Sequence, residues 1–314
     1  MRVSSNACWL RSRFRIFLSV ARRGVFNYPA GRMPLSYGIF LPPFAELAAP
    51  KRLVALSELA ERAGWDGFFL WDHMQVVPQM AVADSFVMAA AIAQATEQIR
   101  IGVLVTPLAR RRPWVFARQT VSLDLLSEGR LVVGVGLGNE RWGEFSSFSG
   151  EVLDPVDRAL ALDESLEVLS RFWSGSPVDF EGRRIAVHSA AFLPKPVQRP
   201  LPVWVACRWP NRRPLARAAR YQGCFPEFDP GGSEISGLAD PEHMAAVRTE
   251  LIGRGASPEI DIICRGVSEL TPISERSSRF SALEEAGMTW WLESLGAGEP
   301  AAKAERVVAK GPPR

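Results

Sequence analysis

Asp72 and His73 stand at the end of an apolar run, Gly67-Phe-Phe-Leu-Trp71. A carboxylate beside an imidazole at a strand end can hold a polar ring by hydrogen bonds or move a proton near neutral pH. Side chains alternate along a strand, so one of the pair reaches a pocket while the other braces a loop. We expect His73 to face the pocket, the competing reading being a structural hydrogen-bonder. A second run, Val103-Leu104-Val105, ends in Thr106-Pro107, and the Thr106 hydroxyl either meets a ring carbonyl or caps the turn. Arg110, Arg111 and Arg112 follow, and a charge run of this kind reads first as a solvated face and second as an anion site.

Two further loops offer backbone rather than side chains. Gly134, Gly136 and Gly138 precede Asn139, so a flat ring can approach the main chain there, and glycines at a strand end serve equally well as a turn or bulge. Trp142 beyond them either walls a cofactor or packs as core. Ala206, Cys207 and Arg208 form the third candidate, with backbone amides for an anion and a guanidinium fork for a phosphate. Cys207 itself has no acid or base near it in sequence and reads as a small apolar filler.

Other chemistries find no footing in the sequence. The four cysteines form no C-x-x-C pair and the three histidines lie far apart, so a metal centre is not expected. There is no G-x-S-x-G elbow for a serine hydrolase. In the glycine cluster the third glycine is displaced and an aromatic loop follows, which fails the dinucleotide fingerprint.

The elements that must position these residues alternate strand and helix, the pattern of a parallel sheet. The strand candidates are Tyr37–Leu41, Gly67–Trp71, Arg100–Val105, Leu131–Val135, Pro202–Ala206, Gly223–Pro226, Ile260–Arg265 and Thr289–Glu293. Helices are expected over Lys51–Ala63, Asp84–Ala95, Trp114–Leu126, Pro155–Trp173, Arg213–Arg220, Pro241–Gly253, Ile273–Ala286 and Ala301–Ala309. Prolines 50, 113, 155, 214 and 241 sit in or just before first turns, and glycines 64, 129, 223 and 287 just past helix ends. Eight such units in this length predict an α/β (β/α)8 TIM barrel, with an open doubly wound sheet as the alternative. Val178–Phe180 and Arg184–Val187, around Gly182, predict a hairpin insertion before the fifth barrel strand.

Composition bounds the partners. The chain is 47% hydrophobic and 23% charged, enough to bury one large core. Its net charge of +3 hides an uneven split, since residues 1–32 carry seven arginines and no acid, which leaves the rest at −4. A mildly acidic body gives nucleic acid nothing to bind. No apolar stretch has the length of a membrane span, so a cytoplasmic protein acting on a small molecule is expected. We read Met33 as the native start, with residues 1–32 an Arg-rich extension that is disordered or a mis-assigned beginning, and residues 33–314 as one barrel.

The ordered set of motifs resembles the bacterial luciferase-like monooxygenase family. The resemblance rests on Gly64-Trp-Asp-Gly-Phe-Phe-Leu-Trp-Asp-His73, Ile101-Gly-Val-Leu-Val-Thr-Pro107, Arg112-Pro-Trp-Val-Phe-Ala-Arg-Gln119 and Leu123-Asp-Leu-Leu-Ser-Glu-Gly-Arg-Leu-Val-Val-Gly-Val-Gly136. Leu162–Leu169, Pro194–Pro200, Ala286–Glu293 and Gly311–Arg314 extend it to the C-terminus. It implies a barrel binding FMN or the deazaflavin coenzyme F420 at the strand C-termini, with His73 stabilising or protonating developing charge. Asp72 and His73 would then lie near the ring, and Val103 and Leu104 at a third-strand bulge, often with a non-proline cis peptide. Gly136 and Gly138 would form the ring-edge turn and Ala206, Cys207 and Arg208 the phosphate loop, and Thr106 and Asn139 join them as cofactor-binding candidates.

Two departures from relatives are Cys207 and Gln222, where Gly and Asp are usual, and Cys207 would crowd a phosphate. Asn139 replaces the Glu of sugar-phosphate dehydrogenases in the family, which counts against that substrate class. The activity implied is reduced-flavin monooxygenation of a small organic substrate, with deazaflavin hydride transfer and a non-catalytic cofactor-binding barrel as alternatives. Homodimers are common in the family.

Overall fold

The computed structural model describes residues 35–76, 78–228 and 240–313. The expectations for residues 1–32 lie outside the described residues. Each of the eight apolar runs forms a strand, and all eight pair in parallel. They are β1 (Ser36–Leu41), β2 (Gly67–Leu70), β3 (Arg100–Pro107), β4 (Leu131–Gly136), β7 (Val203–Arg208), β8 (Gly223–Glu227), β9 (Asp261–Gly266) and β10 (Trp290–Ser294). The order β1-β2-β3-β4-β7-β8-β9-β10 closes back onto β1, so the sheet is a barrel and not an open doubly wound sheet. The inserted hairpin is present as the antiparallel pair β5 (Val178–Glu181) and β6 (Ala186–Ser189).

Among the described residues eight α-helices follow the strands: α1 (Pro50–Arg62), α2 (Ser85–Ala95), α3 (Pro113–Leu126), α4 (Pro155–Ser174), α5 (Arg212–Ala218), α6 (Pro241–Gly253), α7 (Ile273–Glu285) and α8 (Ala301–Ala309). Pro50, Pro113, Pro155 and Pro241 open their helices, where a missing N–H costs nothing. Gly64 and Gly287 take φ of +83° and +108° just past α1 and α7, a conformation side chains resist. Gly223 is a different case from the helix-end role expected of it. It lies inside β8, and a Cβ there would come within 2.2 Å of the Trp204 ring.

Alternation along the strands divides the core in two. Outward residues such as Ile39, Phe68, Val133, Val205 and Cys264 pack beneath the helices. Inward residues Phe40, Phe69, Leu104, Val132, Trp204, Phe225, Ile263, Trp290 and Leu292 fill the barrel, together with Trp71 and Trp142 at its C-terminal rim. The interior is therefore a plug of large side chains, as expected for eight strands. Phe69 fits because Gly38, Gly67 and Gly102 surround it, each too close to its ring for a Cβ.

Candidate active site

Three loops converge on the C-terminal end of β2. Beyond Leu70 the chain leaves the sheet, and Asp72 and His73 turn to opposite sides. The Asp72 carboxylate takes both oxygens to Arg111 Nη2, at 3.0 and 2.7 Å. That guanidinium lies 4.7 Å over the Phe86 ring, in the layer beneath the helices. Asp72 thus braces the loop. His73 turns to the barrel mouth, where its ring sits 4.7 Å from Trp142, 5.7 Å from Phe44 and 6.0 Å from Trp71.

His73 Nδ1 lies 2.7 Å from Glu144 Oε2. The other carboxylate oxygen accepts from the Met74 N–H and from Arg110 Nη1, both at 2.9 Å. Arg110 also donates to the Asp72 carbonyl, so one guanidinium holds the backbone ahead of His73 and the carboxylate beside it. Glu144 is only 2% exposed. Burial pushes its carboxyl up, but His73, the Met74 N–H and Arg110 outweigh that and hold it below the usual value. The group is ionised, and three donors converge on it.

Neither Glu144 nor the inward turn of Arg110 was expected. The arginine run reads as solvated in the sequence, yet the Arg110 and Arg111 side chains are 5% and 19% exposed and both carry buried pairs. An ion-pair requirement for the carboxylates of two other loops overrides the usual preference of a charge run for water.

The other expected residues lie along, or just beyond, β3, β4 and β7. Residues 104 and 105 form the bulge of β3, between the paired positions Val103 and Thr106, and the cis peptide joins Leu104 to Val105, one bond later than expected. Thr106 is fully buried and its hydroxyl has no protein partner. Gly136 gives its space to Val105, whose Cγ1 would lie 2.7 Å from a Cβ there. Gly138, at φ +68°, packs against Pro107 and Phe145, so both glycines answer neighbouring side chains. Asn139 is exposed, and its amide oxygen accepts from the Arg141 N–H.

In β7 the alternation places Ala206 on the inner side, 3.2 Å from a notional Gly136 Cβ, and Arg208 at the exposed end. Cys207 does not crowd that face, contrary to the expectation from sequence. Its side chain is buried in the outer core, 3.0 Å from Cys224 Sγ. Burial, with Cys207 alongside, pushes the Cys224 thiol well up.

A cavity of about 410 Å³ lies in the loop that follows His73, lined by Met74, Gln75, Val76, Gln79, Met80 and Val82. Val76, Met80 and Val82 pack on the same aromatic cluster as Trp71 and Trp142, while Gln75 and Gln79 add amide groups to the lining. The volume is in the range of small-molecule sites. Among the described residues no group of His, Cys, Asp or Glu could hold a metal ion. No helix among them is long and apolar enough to cross a membrane.

A family model described as luciferase-like monooxygenase matches residues 22–232. An F420-dependent glucose-6-phosphate dehydrogenase of Rhodococcus erythropolis is 32% identical over 182 residues, 57% of this chain and 52% of its own length. The chain thus spans about half the length of the curated relatives it matches. Among solved structures, an F420-dependent secondary alcohol dehydrogenase bound to an F420-acetone adduct superposes with a TM-score of 0.71 at 16% identity, over 90% of this chain and 99% of its own. A monooxygenase from Streptomyces bottropensis gives 0.68 at 19% identity, over 87% and 96%. At such identities the likeness is one of fold.

Proposed function

The chain belongs to the luciferase-like monooxygenase family, and from that premise we propose an oxidoreductase that exchanges hydride between a flavin-type ring at the barrel mouth and a small alcohol or carbonyl substrate. Coenzyme F420 is the favoured ring, because the curated relatives use it. The observation that carries the reading is His73, set among Phe44, Trp71 and Trp142 at the C-terminal rim, where barrels of this kind do their chemistry.

The rim suits such a group. Trp71 Nε1 and Thr106 Oγ1 are buried donors without a protein partner, at the ends of neighbouring strands, and carbonyl oxygens on a ring edge would complement them. Val105, Thr106 and Ala206 would back the ring and Arg208 would meet a phosphate. When bound, the ring supplies the hydride donor or acceptor. The chain's part is to orient the substrate oxygen at His73, to move its proton and to exclude water with the aromatic wall. A sugar phosphate is disfavoured by Asn139, which is occupied with its own turn, and by Glu140, whose carboxylate accepts from the Phe145 and Ser146 N–H groups.

Reduced FMN acting with oxygen is the second reading, favoured by the Phe44, Trp71, Val76 and Trp142 cluster at the same rim, which would shield a reactive flavin from water. Titration of the purified full chain with F420 and with FMN, followed by absorbance and fluorescence, separates the two. Saturable F420 binding and oxidation of a secondary alcohol are expected. FMN binding alone selects the second reading, and binding of neither leaves a non-catalytic barrel and ends the redox proposal.

A further inference from the structure

The chain contains an acid that acts on chemistry only through another side chain. We propose that Glu144, held by Arg110, is a positioning residue that fixes His73 as its Nδ1–H tautomer and so makes Nε2 the proton acceptor facing the mouth. This rests on the reading of His73 as the proton-exchanging group.

An ionised carboxylate only accepts hydrogen bonds, so the nitrogen 2.7 Å from Glu144 Oε2 must carry the proton. Neutral imidazole then keeps its lone pair on Nε2. The other faces of His73 meet the Phe44, Trp71 and Trp142 rings, which offer no competing acceptor. With a bound oxidised ring to take the carbinol hydride of an alcohol, His73 Nε2 would accept the hydroxyl proton as the C–O bond becomes a carbonyl. The imidazolium so formed lies against the Glu144 carboxylate. In the reverse direction the same atom returns the proton.

The two carboxylate oxygens have unlike partners, and this gives a sharp test. Oε1 faces two donors, the Met74 N–H and Arg110 Nη1, whereas Oε2 faces His73 alone. In Glu144→Gln the amide oxygen must stay toward the two donors, which directs the NH2 group at His73 Nδ1. An NH2 group there can only donate, so the imidazole must move its proton to Nε2. The variant is isosteric and inverts the tautomer.

The measurement is the 15N spectrum of 15N-histidine-labelled full-length protein in alkaline buffer, with the His73 signals assigned by their loss in His73→Gln. Wild type is expected to show protonated Nδ1 and bare Nε2, and Glu144→Gln the reverse. Turnover of a secondary alcohol by the F420-loaded variant should fall by roughly 10² to 10⁴-fold with little change in KM. A wild-type spectrum with the proton on Nε2, or an unchanged tautomer in a folded Glu144→Gln protein, overturns the proposal. Should the variant not fold, the wild-type spectrum decides alone. The tautomer is read without cofactor, so a chain that binds no ring yet shows the swap loses the redox reading and keeps Glu144 as the orienting group.

Discussion

At the N-terminal end of the barrel, Arg130 commits all five of its donors, to the carbonyls of Ala93, Thr96, Ile99 and Ser127 and to the Thr96 hydroxyl. Glu61 accepts from the N–H groups of Glu97, Gln98 and Ile99, and Asp124 from those of Val197 and Gln198. At the C-terminal end, Arg110, Glu144, Arg111, Asp72 and His73 mainly pair with one another, from loops that follow β2, β3 and β4. The first arrangement fixes main chain in place. The second converges on an imidazole walled by the Phe44, Trp71 and Trp142 rings, of which Trp71 keeps its N–H unpartnered. Charges that answer backbone groups stabilise a fold, whereas charges that answer each other across loops set the state of one reactive side chain.

The largest effect that would break this contrast is at His73. His73→Ala should lower turnover by roughly 10² to 10⁴-fold, about 3 to 5 kcal/mol of barrel-mouth catalysis. Unfolding free energy should move by about 1 to 3 kcal/mol, since the change leaves the buried Glu144 Oε2 without its partner. Steady-state kinetics beside urea denaturation measure both. A stability loss as large as the kinetic one would make His73 one more structural clamp.

A smaller effect, of about 3 kcal/mol, belongs to the floor of the barrel. Asp261 accepts from Trp204 Nε1 at 3.1 Å and from Thr289 Oγ1 at 3.0 Å. Burial pushes its carboxyl up from 3.8 to about 6 despite those donors and nearby Arg100. The raised folded value means that its contribution is fully present below about pH 4 and is lost as pH rises through 6, each tenfold change in proton affinity being worth roughly 1.4 kcal/mol. Asp261→Asn keeps the shape and removes the ionisation. Its stability should therefore stay flat between pH 4 and 7, where wild type declines, with turnover unchanged. A parallel decline in both proteins would place the titrating group elsewhere.

The fold was legible because short, nearly continuous apolar runs separated by capped helices leave few other architectures, and the hairpin insertion was legible from Gly182 and its flanking β-branched residues. The site was legible only where one strand end carries its own signal, as at Asp72 and His73. Glu144 lies in an irregular loop whose spacing encodes no face, and only the third dimension brings it to His73. Cys207 was misplaced because alternation gives two faces without saying which is inner. Val203, Val205 and Cys207 share the outer one, and this follows once Trp204 is known to fill the barrel. The bulge at Leu104 and Val105 interrupts the pairing of β3 with β4, so the strand pattern alone does not give the direction of Thr106.

The smallest effect sharpens the contrast by its sign. Glu61 lies at the same end as Asp261 but near the surface. Burial raises its carboxyl, and the N–H groups of Gln98, Ile99 and Glu97 with Arg130 outweigh that and hold it below its usual value. A lowered folded value contributes stability above about pH 4.5, which is lost as pH falls through the folded value, opposite in direction to Asp261. Glu61→Gln should lose about 1 kcal/mol at neutral pH, the modest figure reflecting screening of a partly exposed group. The deficit should shrink on acidification, because wild type then loses the same charge. Turnover should not change, since the carboxylate touches only the backbone that starts β3. A kinetic defect in Glu61→Gln without loss of stability would mean that the two ends of the barrel are coupled, and that the division drawn between them is wrong.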